Sequence, residues 1–148
     1  MLSRKLQSIL LIGATMALQA TELKLDISGI AVKKGGNITV LLYANENGYP
    51  KVHKEAKFRK TKKVSSKNVI FIFDIPSDIK EVAVKAHHDI DCDGKVTKNW
   101  TGIIPKDGLG FSKGQTVSLT GLPSYRKSKL TKNDFDKTQK IKIVYYSN

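Results

Sequence analysis

Residues 68–96 read NVIFIFDIPSDIKEVAVKAHHDIDCDGKV. Val69, Phe71, Phe73 and Ile75 alternate with other residues in the first half, and Val82, Val84, Ala86 and His88 do so in the second, on either side of the turn residues Pro76, Ser77 and Asp78. Successive side chains of a strand point to opposite faces, so period two over this length predicts two half-buried strands. The same period recurs outward from this pair. TELKLDISGI sets Leu23, Leu25 and Ile27 against Lys24, Asp26 and Ser28; NITVLLYA aligns Ile38, Val40 and Leu42; KIKIVYY aligns Ile141, Ile143 and Tyr145. AKFRKTKKV and QTVSL are weaker strand candidates. The segments between, among them Gly35–Gly36, NENGYP, SSKN, DCDG, KDGLG and GLPS, are turn chemistries, and no sustained 3.6-residue apolar repeat follows residue 20. The pattern predicts an all-β fold, an antiparallel β-sandwich of about seven strands. Thr97 to Lys137 reads as loop-rich, and a loop that long in a compact domain is functional or held by something.

The chain opens MLSRKLQSILLIGATMALQATELK, with Arg4 and Lys5 ahead of an uncharged apolar run from Leu6 to Leu18 and small residues at Ala17 and Ala20. This reads as a secretory signal peptide, residues 1–20, cut after Ala20. The run is short for a bilayer span, which needs roughly 20 apolar residues, and a retained N-terminal anchor is the competing reading. Residues 21–148 then form a single β-sandwich domain, exported to the periplasm or the cell exterior, with no transmembrane segment after cleavage. Loss of Arg4 and Lys5 takes the formal charge from +13 to +11. A cationic exported protein meets anionic envelope components such as lipopolysaccharide, teichoic acid or acidic glycan, in a salt-sensitive way. Nucleic acid suits the charge but not the compartment. Cys92 is the one cysteine, so no intramolecular disulfide can form.

Asp89, Asp91, Asp93 and Gly94 match the first half of a D-x-[DN]-x-[DN]-G calcium loop. Alternate carboxylates on a tightly turning backbone converge on one point, and hard oxygens suit Ca²⁺. The Lys95 backbone carbonyl and Thr97 complete the expected ligand set, with Asn99 and Asp107 as further nearby candidates. An EF-hand is excluded because Trp100 stands where the closing bidentate Glu belongs. The alternative is a polar turn whose carboxylates cap backbone N–H groups. His87 and His88 point to opposite faces of a strand and cannot both serve one ion; His88, in register with the apolar face, reads as a buried or loop-orienting residue. Nucleophile-elbow and phosphate-loop patterns are absent, and no C-x-x-C or H-x-x-x-H spacing supports zinc. Trp100, Phe111 and Tyr125 form either a ligand platform or a cover for the open end of the sandwich.

AHHDIDCDGKV, WTGIIPKDGLGFS and GLPSY together resemble domain-of-unknown-function family 2141, small exported bacterial proteins with a His-Asp and Asn/Asp-Gly-Lys loop. The family's Gly-Ile-Pro-x-Glu/Asp-Gly-x-Gly-Phe-Ser segment is matched by Gly102, Pro105, Asp107, Gly108, Gly110, Phe111 and Ser112. The family usually has asparagines where Asp91 and Asp93 stand and an acid near the position of Thr97. The resemblance implies a transthyretin- or prealbumin-like β-sandwich and no particular activity. The expected function is therefore a non-enzymatic, envelope-associated binding or accessory protein with a structural Ca²⁺ loop. Two alternatives stand beside it. One is a metal-dependent hydrolase using His88, Asp89 and Asp93. The other is an electrostatic binder of anionic polymers through Lys57, Arg59, Lys60, Lys62 and Lys63.

Overall fold

The computed structural model describes residues 19–98 and 104–147. Most of the expected leader, together with Asn99, Trp100 and Gly102, lies outside the described residues. The described residues form eight strands: β1 (Thr21–Ser28), β2 (Asn37–Tyr43), β3 (Phe58–Lys63), β4 (Val69–Ile75), β5 (Glu81–Asp89), β6 (Gly108–Phe111), β7 (Lys129–Thr131) and β8 (Gln139–Lys142). Two four-residue helices, α1 (Tyr125–Ser128) and α2 (Lys132–Phe135), flank β7. One sheet has the order β4–β1–β8, and the other the order β3–β2–β5–β6, with β7 also on β5. The fold is an all-β sandwich, as the alternation predicts.

The core lies between the sheets. Leu23, Leu25 and Ile27 of β1 meet Ile38, Val40 and Leu42 of β2 and Val82, Val84 and Ala86 of β5, all essentially inaccessible to water. Burying each large aliphatic side chain contributes about 1.5–3 kcal/mol, so this seam supplies most of what holds the sheets together.

Three features depart from the predicted pattern. β8 pairs with β1 in parallel, Leu25 opposite Gln139, because the chain arrives at β8 by a crossover from the other sheet and not through a hairpin. QTVSL forms no strand; its Ser118 makes only an isolated bridge to Gly121. The loop-rich stretch instead contributes β6 and β7, which follow one another along the same edge of β5. β6 can approach the C-terminal segment because it begins Gly-Leu-Gly: a Cβ on Gly108 would strike Ile143 and, at 2.6 Å, Tyr145. Ser112 then pins this edge, since its Oγ accepts from Val84 N–H at 2.9 Å and donates to the Ser128 carbonyl.

The open edge between the sheets is closed by lysines. Phe58, Lys60 and Lys62 of β3 continue the core-facing row of β2, opposite Leu42, Val40 and Ile38. Lys60 Nζ lies 5.0 Å from the Phe73 ring and donates to the Ile72 carbonyl; Lys62 Nζ lies 4.9 Å from the Phe71 ring and donates to the Ile70 carbonyl at 2.6 Å. Inward-pointing cations of this kind cover apolar surface with their stems and blunt two exposed strand edges. Two of the five cations expected to face anionic polymers are thus engaged in the fold.

Candidate functional site

β5 is the central strand of its sheet and is buried on both faces from Val82 to Asp89. Its inner face carries the core residues and ends on His88. Its outer face carries Lys85, His87 and Asp89 in alternation, and these are only 2%, 1% and 4% exposed. The cover over that face comes from the segment after β2 and from α1: Tyr49 packs edge-on between Tyr43, at 5.1 Å, and Tyr125, at 5.9 Å. Phe111 and Tyr125 are buried packing residues.

His88 faces the core with both ring nitrogens engaged. Nε2–H donates to the Gly35 carbonyl at 2.6 Å, and Nδ1 accepts from the Tyr145 hydroxyl at 2.6 Å. The same hydroxyl accepts from Ala31 N–H at 2.8 Å. His88 thus ties the turn before β2 to the C-terminal segment and stands on the opposite face from Asp89. The trio His88, Asp89 and Asp93 is not brought together.

His88 is thus the buried, loop-orienting residue that its register predicts, and His87 occupies the outer face. His87 Nε2–H donates to Asp107 Oδ2 at 2.7 Å, and burial holds the imidazole pKa below its ordinary value despite that carboxylate. Asp107 Oδ2 also accepts from Thr97 N–H at 2.9 Å. Asp107 is therefore a clasp, joining the strand, the far limb of the Asp loop and the start of β6.

The Asp loop turns through two left-handed residues, Cys92 at φ 58° and Gly94 at φ 76°. Its carboxylates do cap backbone amides. Asp89 Oδ2 accepts from Gly94 N–H at 2.8 Å, Asp91 Oδ1 from Asp93 N–H at 3.3 Å, and Asp93 Oδ1 from Lys95 N–H at 2.8 Å. Thr97 Oγ1 donates to Asp91 Oδ2 at 3.1 Å. One oxygen is left over in the interior: Asp89 Oδ1 is buried with no hydrogen-bond partner among the described residues. Burial first, with a smaller opposing effect from the Gly94 amide, raises the Asp89 carboxyl pKa above its ordinary value. Asp89, Asp91 and Asp93 each present a ligand atom within 4.8 Å of the others, and so do His87, Asp89 and Asp107. Of the sequence-predicted set, the fold converges the three aspartates and sets Thr97 beside Asp91. Cys92 is exposed and free.

Further along the outer face, Lys85 Nζ donates to the Pro50 carbonyl at 2.8 Å and to His53 Nε2 at 2.9 Å. His53 Nδ1–H in turn donates to the Gly94 carbonyl at 3.2 Å. Burial brings the Lys85 pKa down to about 8. Burial, then the Lys85 cation, brings that of His53 down to about 4. Sequence reasoning missed Lys85 and His53 and gave His87 no role; the available signal for the strand residues was Lys85, His87 and Asp89 at i, i+2 and i+4 on one face of a strongly apolar strand.

The motifs that build this site fall within one family. Residues 25–140 match the family of uncharacterized proteins conserved in bacteria, DUF2141. The chain belongs to it. The match spans the Asp loop, Asp107 and the Gly-Leu-Gly-Phe-Ser segment of β6, so the whole constellation lies within the family's own extent. No curated protein and no solved structure matches the chain. Among the described residues no helix is long and apolar enough to cross a membrane.

Proposed function

We propose that this DUF2141 member is a binding module, not an enzyme, in which the Asp89–Asp91–Asp93 loop takes Ca²⁺ as a structural brace. The observation that carries this reading is Asp89 Oδ1, a buried carboxylate oxygen with no donor among the described residues, beside a convergent set of aspartates. Leaving such an atom unsatisfied costs about 1–3 kcal/mol or more, and a hard cation is the partner that three crowded carboxylates call for. The neighbouring set of His87, Asp89 and Asp107 is less available, because His87 donates to Asp107 and the same Asp107 oxygen already accepts a second N–H. In this reading Thr97 orients Asp91 through its hydroxyl, and the Lys95 carbonyl is the backbone ligand. The hydrolase alternative draws no support from a His88 that faces the core with both nitrogens occupied.

Export to the periplasm or cell exterior belongs to the same proposal, on the strength of the leader-like residues 1–20 and a formal charge of +13 that favours anionic envelope components. Calorimetric titration with CaCl₂, with thermal unfolding alongside, tests the brace. A ligand of the folded state at 100 times its Kd adds about 2.7 kcal/mol of stability, so the melting temperature should rise. Asp91→Ala, at an exposed position, should abolish both heat and shift. No heat and no shift in the unsubstituted chain would remove calcium from the account.

A further inference from the structure

Lys85 is a buried cation without a counterion. None of the ion pairs among the described residues includes it, and two neutral acceptors, the Pro50 carbonyl and His53 Nε2, take two of its donors. An ammonium has three N–H donors, and the third finds no acceptor among the described residues. Buried charges are ordinarily paired, because desolvation is not offset otherwise.

What Lys85 does border is a cavity of about 1120 Å³. Every charged residue lining it among those described is a cation: Lys51, Lys54, Lys85, Lys95 and Lys98. The wall between them is apolar, formed by Val52, Ile104, Leu109, Val117, Leu119 and Leu122. Val52, Ile104 and Leu119 are 37%, 39% and 109% exposed, so half of the exposed large apolar side chains among the described residues gather at this one opening. A concave apolar surface with a few convergent polar groups is the usual form of a small-molecule site, and an exposed apolar cluster rimmed by charge marks a surface that is covered in use.

We propose that this cavity binds a small anionic amphiphile, its carboxylate or phosphate head on Lys85 and the rim lysines and its apolar body along the Val117–Leu122 wall. The inference rests on the reading of the chain as a binding module but not on the cation, since Asp91 and Asp93 do not line the cavity. The Asp loop reaches it through Gly94, whose carbonyl fixes His53 Nδ1–H and so turns His53 Nε2 toward Lys85.

Calorimetric titration of the whole chain with laurate, dodecyl phosphate, uncharged dodecyl maltoside and acetate separates head from body. Hydrogen bonds to a charged group justify a preference of about tenfold or more for the two anionic amphiphiles over the maltoside, and acetate, lacking the apolar body, should bind weakest. A stronger response to laurate or to dodecyl phosphate distinguishes a carboxylate from a phosphate source. Lys85→Met should reduce anion affinity by about tenfold and leave maltoside unchanged. Leu119→Glu, at a fully exposed position, keeps the fold and should also weaken the anions. Equal binding of laurate and maltoside, or unchanged anion affinity in both variants, overturns the proposal. Calcium titration of the same samples keeps the two ideas apart: calcium heat without laurate binding sinks only the cavity, and laurate binding without calcium heat sinks only the brace.

Discussion

Asp107→Ala should be among the most damaging single substitutions in this domain. The Asp107 side chain is 1% exposed and its Oδ2 accepts two hydrogen bonds, from His87 Nε2–H at 2.7 Å and from Thr97 N–H at 2.9 Å. The third contact, Ile90 N–H at 3.5 Å, is too long to add much. A hydrogen bond to a charged group contributes about 1.5–3 kcal/mol, and a buried donor left without an acceptor costs about 1–3 kcal/mol. His87 is itself 1% exposed and has no water to turn to, whereas Thr97 is half-buried and can recover part of its loss. The sum comes to about 3–4 kcal/mol. With a urea slope of about 1–3 kcal/mol per molar for a small domain, the unfolding midpoint should fall by about 1–4 M at unchanged slope. Asp107→Asn keeps an acceptor for one donor and should lose about half as much. Equilibrium urea unfolding followed by far-ultraviolet circular dichroism, in chelator, checks the order Ala, Asn, unsubstituted. Asp91→Ala under the same conditions should leave the midpoint near its starting value, because exposed Asp91 anchors no buried donor. A midpoint unmoved by Asp107→Ala would refute the clasp.

Two further outcomes follow from the same geometry. The His53 imidazole, held at about pKa 4 against 6.5 in the unfolded chain, takes up its proton first in the unfolded state as pH falls. Its contribution is therefore complete above pH 6.5, is lost between 6.5 and 4 and does not change below; His87 acts in the same sense and Asp89, raised, in the opposite one. After allowance for partial exposure the His53 share is about 1–2 kcal/mol, and His53→Asn should flatten the fall of melting temperature with pH across that window. At the turn before β2, Gly36 has φ 76°, and a Cβ there would collide with the Asp89 carbonyl and come within 2.7 Å of that of Ile90. Gly36→Ala should cost about 2–4 kcal/mol, from the left-handed conformation and the forced shift of the end of β5. Gly35→Ala, at φ 62° with open space around it, is the control and should cost about 1 kcal/mol. Equal thermal destabilisation by the two would show that the backbone contact beneath Asp89 carries nothing.

The inner faces of β1, β2, β4, β5 and β8 were legible because alternation reports the face that meets the core, and those strands bury the residues it picks out. Alternation says nothing about a layer stacked on the other face. Lys85, His87 and Asp89 look like the solvated side of β5 until Tyr49, His53 and α1, from distant stretches of chain, cover them. The two short strands of the 97–137 segment were hidden for a related reason. Gly-Leu-Gly-Phe forms β6 because Gly108 leaves space for Ile143 and Tyr145 and Gly110 for Ile141 and Lys142, a demand set by a segment some thirty residues later. The convergence of Asp89, Asp91 and Asp93 could be read locally, since a three-aspartate turn ending in glycine has few other shapes. The Asp107 clasp could not, since its partner His87 is 20 positions away.

Lys85 and Asp89 share one face of one strand, and their separation bears on why neither forms an ion pair among the described residues. Residues i and i+4 on a strand stand about 13 Å apart, well beyond ion-pair reach, and His87, hydrogen-bonded to Asp107, fills the position between them. Neither charge can neutralise the other without breaking β5, which pairs with β2 from Ala83 to Asp89. In the proposed reading, a rigid central strand that holds a buried ammonium toward the cavity and a buried carboxylate toward a carboxylate-rich loop leaves both to be matched from outside the chain. The sheet supplies the geometry, and the signs of the two stranded charges specify the proposed ligands, an anion on one side of His87 and a cation on the other.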